Sequence, residues 1–290
     1  MKEALATVQQ DGSITLPPEI ARTLGLLPGA HARLDLGEND LTIRRSTSHL
    51  ARLYVELTNG CNIDCTTCMR NVWDLQIGHL SEEHFSAIES EVSAMAQKPL
   101  VFFGGFGEPL YHPRAIEYIR RIREAGAEVD LITNGTLLSE PRINELIESG
   151  LRRIWVSIDG ARPESYADVR LGASLPQVLK NLELLKFRKQ RMGHANPELG
   201  IAFVAMERNI ADLPKVVEIG LRLEAEHFSI SNVLAHNETM TGETLYDEEL
   251  RKWNPRRADV DLSRMDLDNP RVTGALKGLF ETGSRSLGIP

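Results

Sequence analysis

Cys61, Cys65 and Cys68 are the only cysteines in the 290-residue chain. All three lie within TNGCNIDCTTCMRN, residues 58–71, at the spacing C-x3-C-x2-C. A disulfide needs two thiols, and a closed zinc site needs four ligands. Three thiolates from one loop suit a guest that keeps one position open. Structural cysteines sit among apolar neighbours, whereas these are flanked by Asn62, Asp64, Thr66 and Thr67. Zinc, with His79 or His84 as fourth ligand, is a competing reading, although structural zinc favours paired C-x2-C halves. Soft thiolates at short spacing favour an iron–sulfur cluster. Three thiolates on four irons leave one iron for a small molecule.

Other polar and glycine-rich stretches sit where such a molecule could be held. GGFGEP, residues 104–109, places Gly104, Gly105 and Gly107 where backbone can come close, with Glu108 as an acceptor. TNG ends at Gly135 and offers Asn134; VSIDG offers Ser157 and Asp159; Asn232 follows further on. Each has a plainer reading as a turn or a helix N-cap.

The elements that must position these residues alternate. RLYVELT, PLVFF, AEVDLIT, LRRIWVSIDG, ELGIAFVAM and AEHFSISNVL read as strands. Amphipathic helical stretches separate them, the first capped by Ser81. Strand and helix alternating in this way make βα units around a parallel sheet. Six repeats instead of eight predict a partial (β/α)6 TIM-like barrel, open along one side. The candidate residues all follow strands, and such loops share the C-terminal face of a parallel barrel.

Residues 1–47 form a separate unit. TVQQDGSITL is a hairpin around Asp11-Gly12, PPEIARTLGL a short helix ending near Gly25, and ARLDLGENDLTIRR a second hairpin around Gly37. Residues 50–245 are the barrel. Residues 246–290 form a C-terminal extension that closes with a helix and a ragged end. The balance of 42% hydrophobic and 26% charged residues is that of a globular protein. A net charge of −8 argues against general affinity for nucleic acid or anionic membrane. No apolar run is long enough to span a bilayer and no secretory leader is visible, which points to the cytoplasm.

CNIDCTTC after a first strand, with GGFGEP after a second, resembles the radical S-adenosylmethionine (SAM) superfamily. The resemblance implies a [4Fe-4S] cluster on Cys61, Cys65 and Cys68, with SAM chelated to the open iron. One electron then cleaves SAM to a 5′-deoxyadenosyl radical, which takes hydrogen from a substrate. It also implies SAM contacts from Gly104, Gly105, Gly107, Glu108, Asn134, Ser157, Asp159 and Asn232. Phe106 is an addition to the plainest GGEP form, and Thr67 stands where many members have an aromatic residue.

The order of motifs resembles the branch of molybdenum-cofactor cyclases and SPASM-type maturases. The N-terminal unit resembles AbrB/MazE-type swapped-hairpin domains, which dimerise. In that family the domain often binds DNA, but residues 1–45 carry five basic and six acidic side chains and no basic patch. The combination resembles radical SAM maturases of tungsten-cofactor oxidoreductases, which implies maturation of a peptide, protein or tungsten/molybdenum-type cofactor. The expected partners are a peptide, protein or pterin-type substrate and a reductant such as ferredoxin or flavodoxin. Maturases of this kind continue into a cysteine-rich region, so the chain is expected to be truncated before one. The alternatives are a molybdenum-cofactor-type cyclase and a non-catalytic, DNA-tethered iron–sulfur sensor.

Overall fold

The computed structural model describes residues 7–23, 32–37, 41–45, 50–247, 252–253 and 269–272. The predicted C-terminal helix of residues 274–290 and the end of the first helix near Gly25 lie outside these residues.

Met1–Ala51 form one compact unit and Arg52–Pro290 a second. In the first, β1 (Thr7–Val8) pairs antiparallel with β2 (Ile14–Thr15). The turn between them has Gly12 at φ +82, and the Asp11 carboxylate accepts from Ser13 N at 2.9 Å. This is the local chemistry that makes Asp-Gly a hairpin signal. Helix α1 (Pro18–Thr23) follows, then β3 (Ala32–Leu36) paired antiparallel with β4 (Leu41–Arg45).

The second unit is an open parallel sheet in the order β10-β9-β8-β7-β6-β5. Its strands are β5 (Arg52–Val55), β6 (Leu100–Phe103), β7 (Val129–Thr133), β8 (Arg153–Ser157), β9 (Glu198–Ala205) and β10 (His227–Asn232). Neighbours in the sheet are neighbours in sequence, as in a run of successive βα units. The covering helices are α2 (Glu82–Ala94), α3 (Ala115–Glu124), α4 (Glu140–Glu148), α5 (Pro163–Val169), α6 (Leu175–Met192) and α7 (Leu213–Arg222). A short α8 (Glu238–Thr241) and the strand pair β11 (Tyr246–Asp247) and β12 (Lys252–Trp253) come last. No described helix is long and apolar enough to cross a membrane.

Local chemistry sets the helix ends. Ser81 caps α2 by accepting from His84 N at 3.2 Å. Pro141, Pro163, Pro176 and Pro214 stand in the first turns of α4, α5, α6 and α7, where a missing N–H costs nothing. Gly193, at φ +70, closes α6 in the left-handed conformation.

The core lies between sheet and helices. Val101, Phe103, Val129, Leu131, Ile154 and Val156 from the central strands are each fully buried. Under α2 and α3 the rings of Phe85 and Tyr118 stack with centroids 3.6 Å apart. Outside that stack, Arg121 bonds Glu89 and Glu82 together, its Nη1 at 2.7 Å from Glu82 Oε1. The expected six-stranded parallel sheet with its helices is present; PESYADV, to which the sequence pattern assigns no element, is helix α5, and α8 and the β11–β12 pair are further additions.

Candidate functional site

The cysteine loop begins where β5 ends. Its neck is closed by an antiparallel bridge between Thr58 and His79, with Leu80 N donating to Leu57 O at 2.8 Å. Asn59 adds two bonds across the same neck, accepting from Gly78 N at 2.7 Å and donating to Gln76 O at 2.9 Å. The twenty-odd residues between form a closed excursion, not a free strand-to-helix connection.

Three neighbouring βα loops hold that excursion. On the β6 side, Glu108 N donates to Gly60 O at 2.8 Å, and the Cys68 thiol lies 3.8 Å from Phe106 O. On the β7 side, Asn134 Nδ2 donates to Asn62 Oδ1 at 3.0 Å and lies 3.8 Å from Cys61 Sγ. Asn62 in turn donates to Thr136 Oγ1 at 2.8 Å. On the β8 side, Asp64 N and Thr66 N each donate, at 2.9 Å, to Leu171 O and Val169 O. There Arg170 Nη1 reaches Cys65 Sγ at 3.7 Å.

Each sulfur thus meets a different chemistry: an amide at Cys61, a guanidinium at Cys65 and a carbonyl at Cys68. Burial pushes the Cys61 and Cys65 thiols above their ordinary range, opposed at Cys65 by the Arg170 charge.

The three sulfurs do not all lie within 4.8 Å of one another. Three soft thiolates offered by one loop suit an iron–sulfur cluster. The histidines considered for a zinc site are engaged elsewhere: His84 Nδ1 is 2.9 Å from Ser81 Oγ, and the His79 ring packs 5.2 Å from His112. Among the described residues the one such group within 4.8 Å is Glu198, Glu226 and His227, at the opposite end of β9 and β10. There Arg153 Nη2 already sits 2.6 Å from Glu198 Oε2.

The glycine-rich loop is shaped by its own neighbours. A Cβ on Gly107 would stand 1.9 Å from Thr58 O, and one on Gly105, at φ +156, would stand 2.4 Å from Glu56 Oε1. A Cβ on Gly104 would meet the Phe102 ring at 2.5 Å. The close approach that these glycines permit is thus made by protein atoms. Glu108 is 3% exposed and accepts three bonds, from Thr133 Oγ1 at 2.8 Å, Asn134 N at 2.7 Å and Leu110 N at 3.0 Å. Burial raises its pKa, and those three donors oppose the rise. Glu108 ties the β6 and β7 loops into one rim.

Glu108 and Asn134 therefore lie beside Cys61, Gly107 packs on the backbone of Thr58 and Gly60, and Gly104 and Gly105 pack on Phe102 and Glu56. Asp159 is fully buried: Oδ2 lies 2.5 Å from Arg170 Nη2, and Oδ1 accepts from Val204 N at 2.7 Å. Its carboxylate faces Arg170 and, through it, Cys65. Ser157 is buried at the end of β8. Asn232 ends β10, at the opposite margin of the sheet from β5. Glu56, Tyr166 and Arg170 lie around the cysteine loop, and the motifs did not mark them.

A parallel (β/α)6 half-barrel with a three-thiol loop docked on its carboxyl-end loops is the class that fold and site define. Residues 55–191 are a Radical SAM domain, matching the family model described as the Radical SAM superfamily. It is 30% identical over 197 residues to the tungsten-containing aldehyde ferredoxin oxidoreductase cofactor-modifying protein of Pyrococcus furiosus, covering 67% of this chain and 55% of that one. It is also 30% identical over 177 residues to the AdoMet-dependent heme synthase of Methanosarcina barkeri, covering 60% of this chain and 48% of that protein. The chain thus spans about half the length of these curated relatives. Among solved structures, SuiB of Streptococcus suis bound to S-adenosylmethionine superposes with TM-score 0.58 at 15% identity, covering 70% of this chain and 46% of SuiB. That likeness is one of fold.

Proposed function

We propose that Cys61, Cys65 and Cys68 hold three irons of a [4Fe-4S] cluster, and that the chain is the catalytic barrel of a radical SAM maturase. The observation that carries this reading is the cysteine loop itself. It offers three soft thiolates from one short segment, and three separate βα loops clamp it. When bound, the cluster and SAM supply one electron and a 5′-deoxyadenosyl radical that abstracts hydrogen from a substrate.

The chain's own residues supply orientation. Gly104, Gly105, Gly107 and Glu108 form the loop after β6 that packs against the cysteine loop. Asn134 bridges that loop to Cys61. Ser157 and Asn232 stand at strand ends where a nucleotide could extend, and Asp159 acts through Arg170. Keeping water from this rim protects a reactive species formed there.

The substrate class is a peptide, protein or pterin-type cofactor, and the electron donor is a small one-electron carrier such as ferredoxin or flavodoxin. The relatives' names, a cofactor-modifying protein and a heme synthase, support a maturation reading. The N-terminal unit is read as an AbrB-like pairing module, a proposal that sedimentation of the separate barrel and full chain would test.

Anaerobic reconstitution tests the central assignment. The expected result is about four irons per chain, broad absorption near about 400 nm, and 5′-deoxyadenosine released after reduction. A colourless protein retaining zinc would overturn it.

A further inference from the structure

Tyr166 is 0% exposed, and its hydroxyl has no hydrogen-bond partner among the described residues. Such a group calls for an explanation, since buried polar atoms are nearly always paired. Burial keeps its pKa at about 12, so the hydroxyl retains its proton and can donate. It lies within electrostatic range of Arg170, Asp159 and Cys65.

Arg170 caps the same helix one turn later, with its N–H donating to Tyr166 O at 2.8 Å. Its guanidinium is 12% exposed and is anchored by Nε at 2.6 Å from Asp159 Oδ2. Asp159 is itself fixed by Val204 N. A relay therefore runs from the β9 backbone through Asp159 and Arg170 to the sulfur of Cys65. Among the described residues Arg170 is the cation in contact with one of the three sulfurs, and Arg70 acts on Cys61 only at longer range. The contact at Cys61 is a neutral amide and that at Cys68 a carbonyl.

We propose that Arg170, at the C-terminal end of α5, sets the reduction potential of the cluster through Cys65. This rests on the reading that Cys65 is a cluster ligand. Reduction adds negative charge that spreads onto the ligand sulfurs, and a buried cation or hydroxyl donor stabilises that charge more than it stabilises the oxidised form. Burial keeps the effect from being screened by solvent. Asp159 works in the opposite sense: it holds Arg170 in place and subtracts from its field.

The test is EPR-monitored potentiometry on the anaerobically reconstituted full chain, without SAM, with iron content measured for each variant. Arg170→Met removes the cation and leaves the Asp159 anion. It is expected to favour the oxidised cluster about tenfold at a fixed poise, a fall of about 59 mV for a one-electron couple. Tyr166→Phe removes a hydroxyl that bonds no sulfur and is expected to leave the potential close to wild type. Asp159→Asn is expected to move the potential upward. Merely loosening the site would not give opposite signs at two partners of one ion pair. Arg170→Lys keeps the cation and is expected to stay close to wild type, which carries the test if Arg170→Met loads poorly. Potentials unchanged in loaded Arg170→Met and Asp159→Asn, or displaced in the same direction, would overturn this inference alone. A wild-type chain that takes up no iron would overturn the cluster assignment beneath it.

Discussion

Glu56 Oε1 accepts from the backbone N–H groups of both Phe106, at 2.6 Å, and Gly107, at 3.0 Å. One carboxylate from the end of β5 therefore fixes the centre of the glycine-rich loop fifty residues away. With Glu56→Ala, two charge-assisted bonds are lost and that loop loses its shape. Each such bond is worth about 1.5–3 kcal/mol at most, and less where solvent reaches it. We expect SAM affinity, read by equilibrium dialysis, to fall about tenfold while iron content stays at the wild-type level. Glu56→Gln, which can still accept, should lose less. Unchanged affinity in Glu56→Ala would remove the loop-fixing role.

The three thiols should behave as a unit in metal binding. Replacing any one of Cys61, Cys65 or Cys68 with Ala is expected to remove most of the iron and sulfide and the visible absorption with it. Full cluster content in Cys65→Ala would contradict the ligand set.

Gly107 has no room for a side chain, because the obstructing atom, Thr58 O at 1.9 Å, is backbone. Gly107→Ala must push the β6 loop off the cysteine loop. Overpacking of this kind costs about 1–3 kcal/mol. A lower urea midpoint with an unchanged slope is the expected observation, accompanied by weaker iron retention. Gly12→Ala, where no atom lies within 4 Å of the added Cβ but φ is +82, separates the cost of strain from that of collision.

The Arg121 bonds on the outside of α2 and α3 give the stability of the iron-free chain a pH dependence. Bonds from Arg121 hold the Glu82 carboxyl down at about 2, against an ordinary 4.5. A depressed acid stabilises the fold above its unfolded pKa, and that contribution is lost as pH falls through the folded value. The wild type should therefore melt at higher temperature than Glu82→Gln at pH 6. The gap should shrink steadily from pH 4.5 toward pH 2. Both groups reach solvent, so a small gap is expected. A gap independent of pH would exclude Glu82 as its source.

Several of these features can be read from residues close together in the chain. The thiols are contiguous, so their chemistry is visible before any fold is known. Ser81, the first-turn prolines and Gly193 act within one helical turn, and they mark helix ends directly. The buried runs of β6 and β8 announce strands covered on both faces. Other features depend on long-range contacts. Arg170 reaches Cys65 from 105 residues away, and nothing near it in sequence marks that meeting. Glu56 reads as one more residue of a β strand, yet the strand stops at Val55 and its carboxylate turns to the next loop. The seven residues of α5 are too few for a clear helical period, so that helix and its Tyr166 go unseen. Asp159 shows the other limit: its motif is plain, but only the fold reveals that its partner is an arginine.

The bridge between Thr58 and His79 has a consequence for the life of the protein. A socket whose mouth is sewn shut by its own backbone does not rely on its contents to keep its outline. Chelating the iron should leave the far-UV circular dichroism unchanged, and returning iron and sulfide should restore the colour without a refolding step. A polypeptide made this way is renewable after oxygen destroys its inorganic part, where one that folds around its metal would have to be replaced.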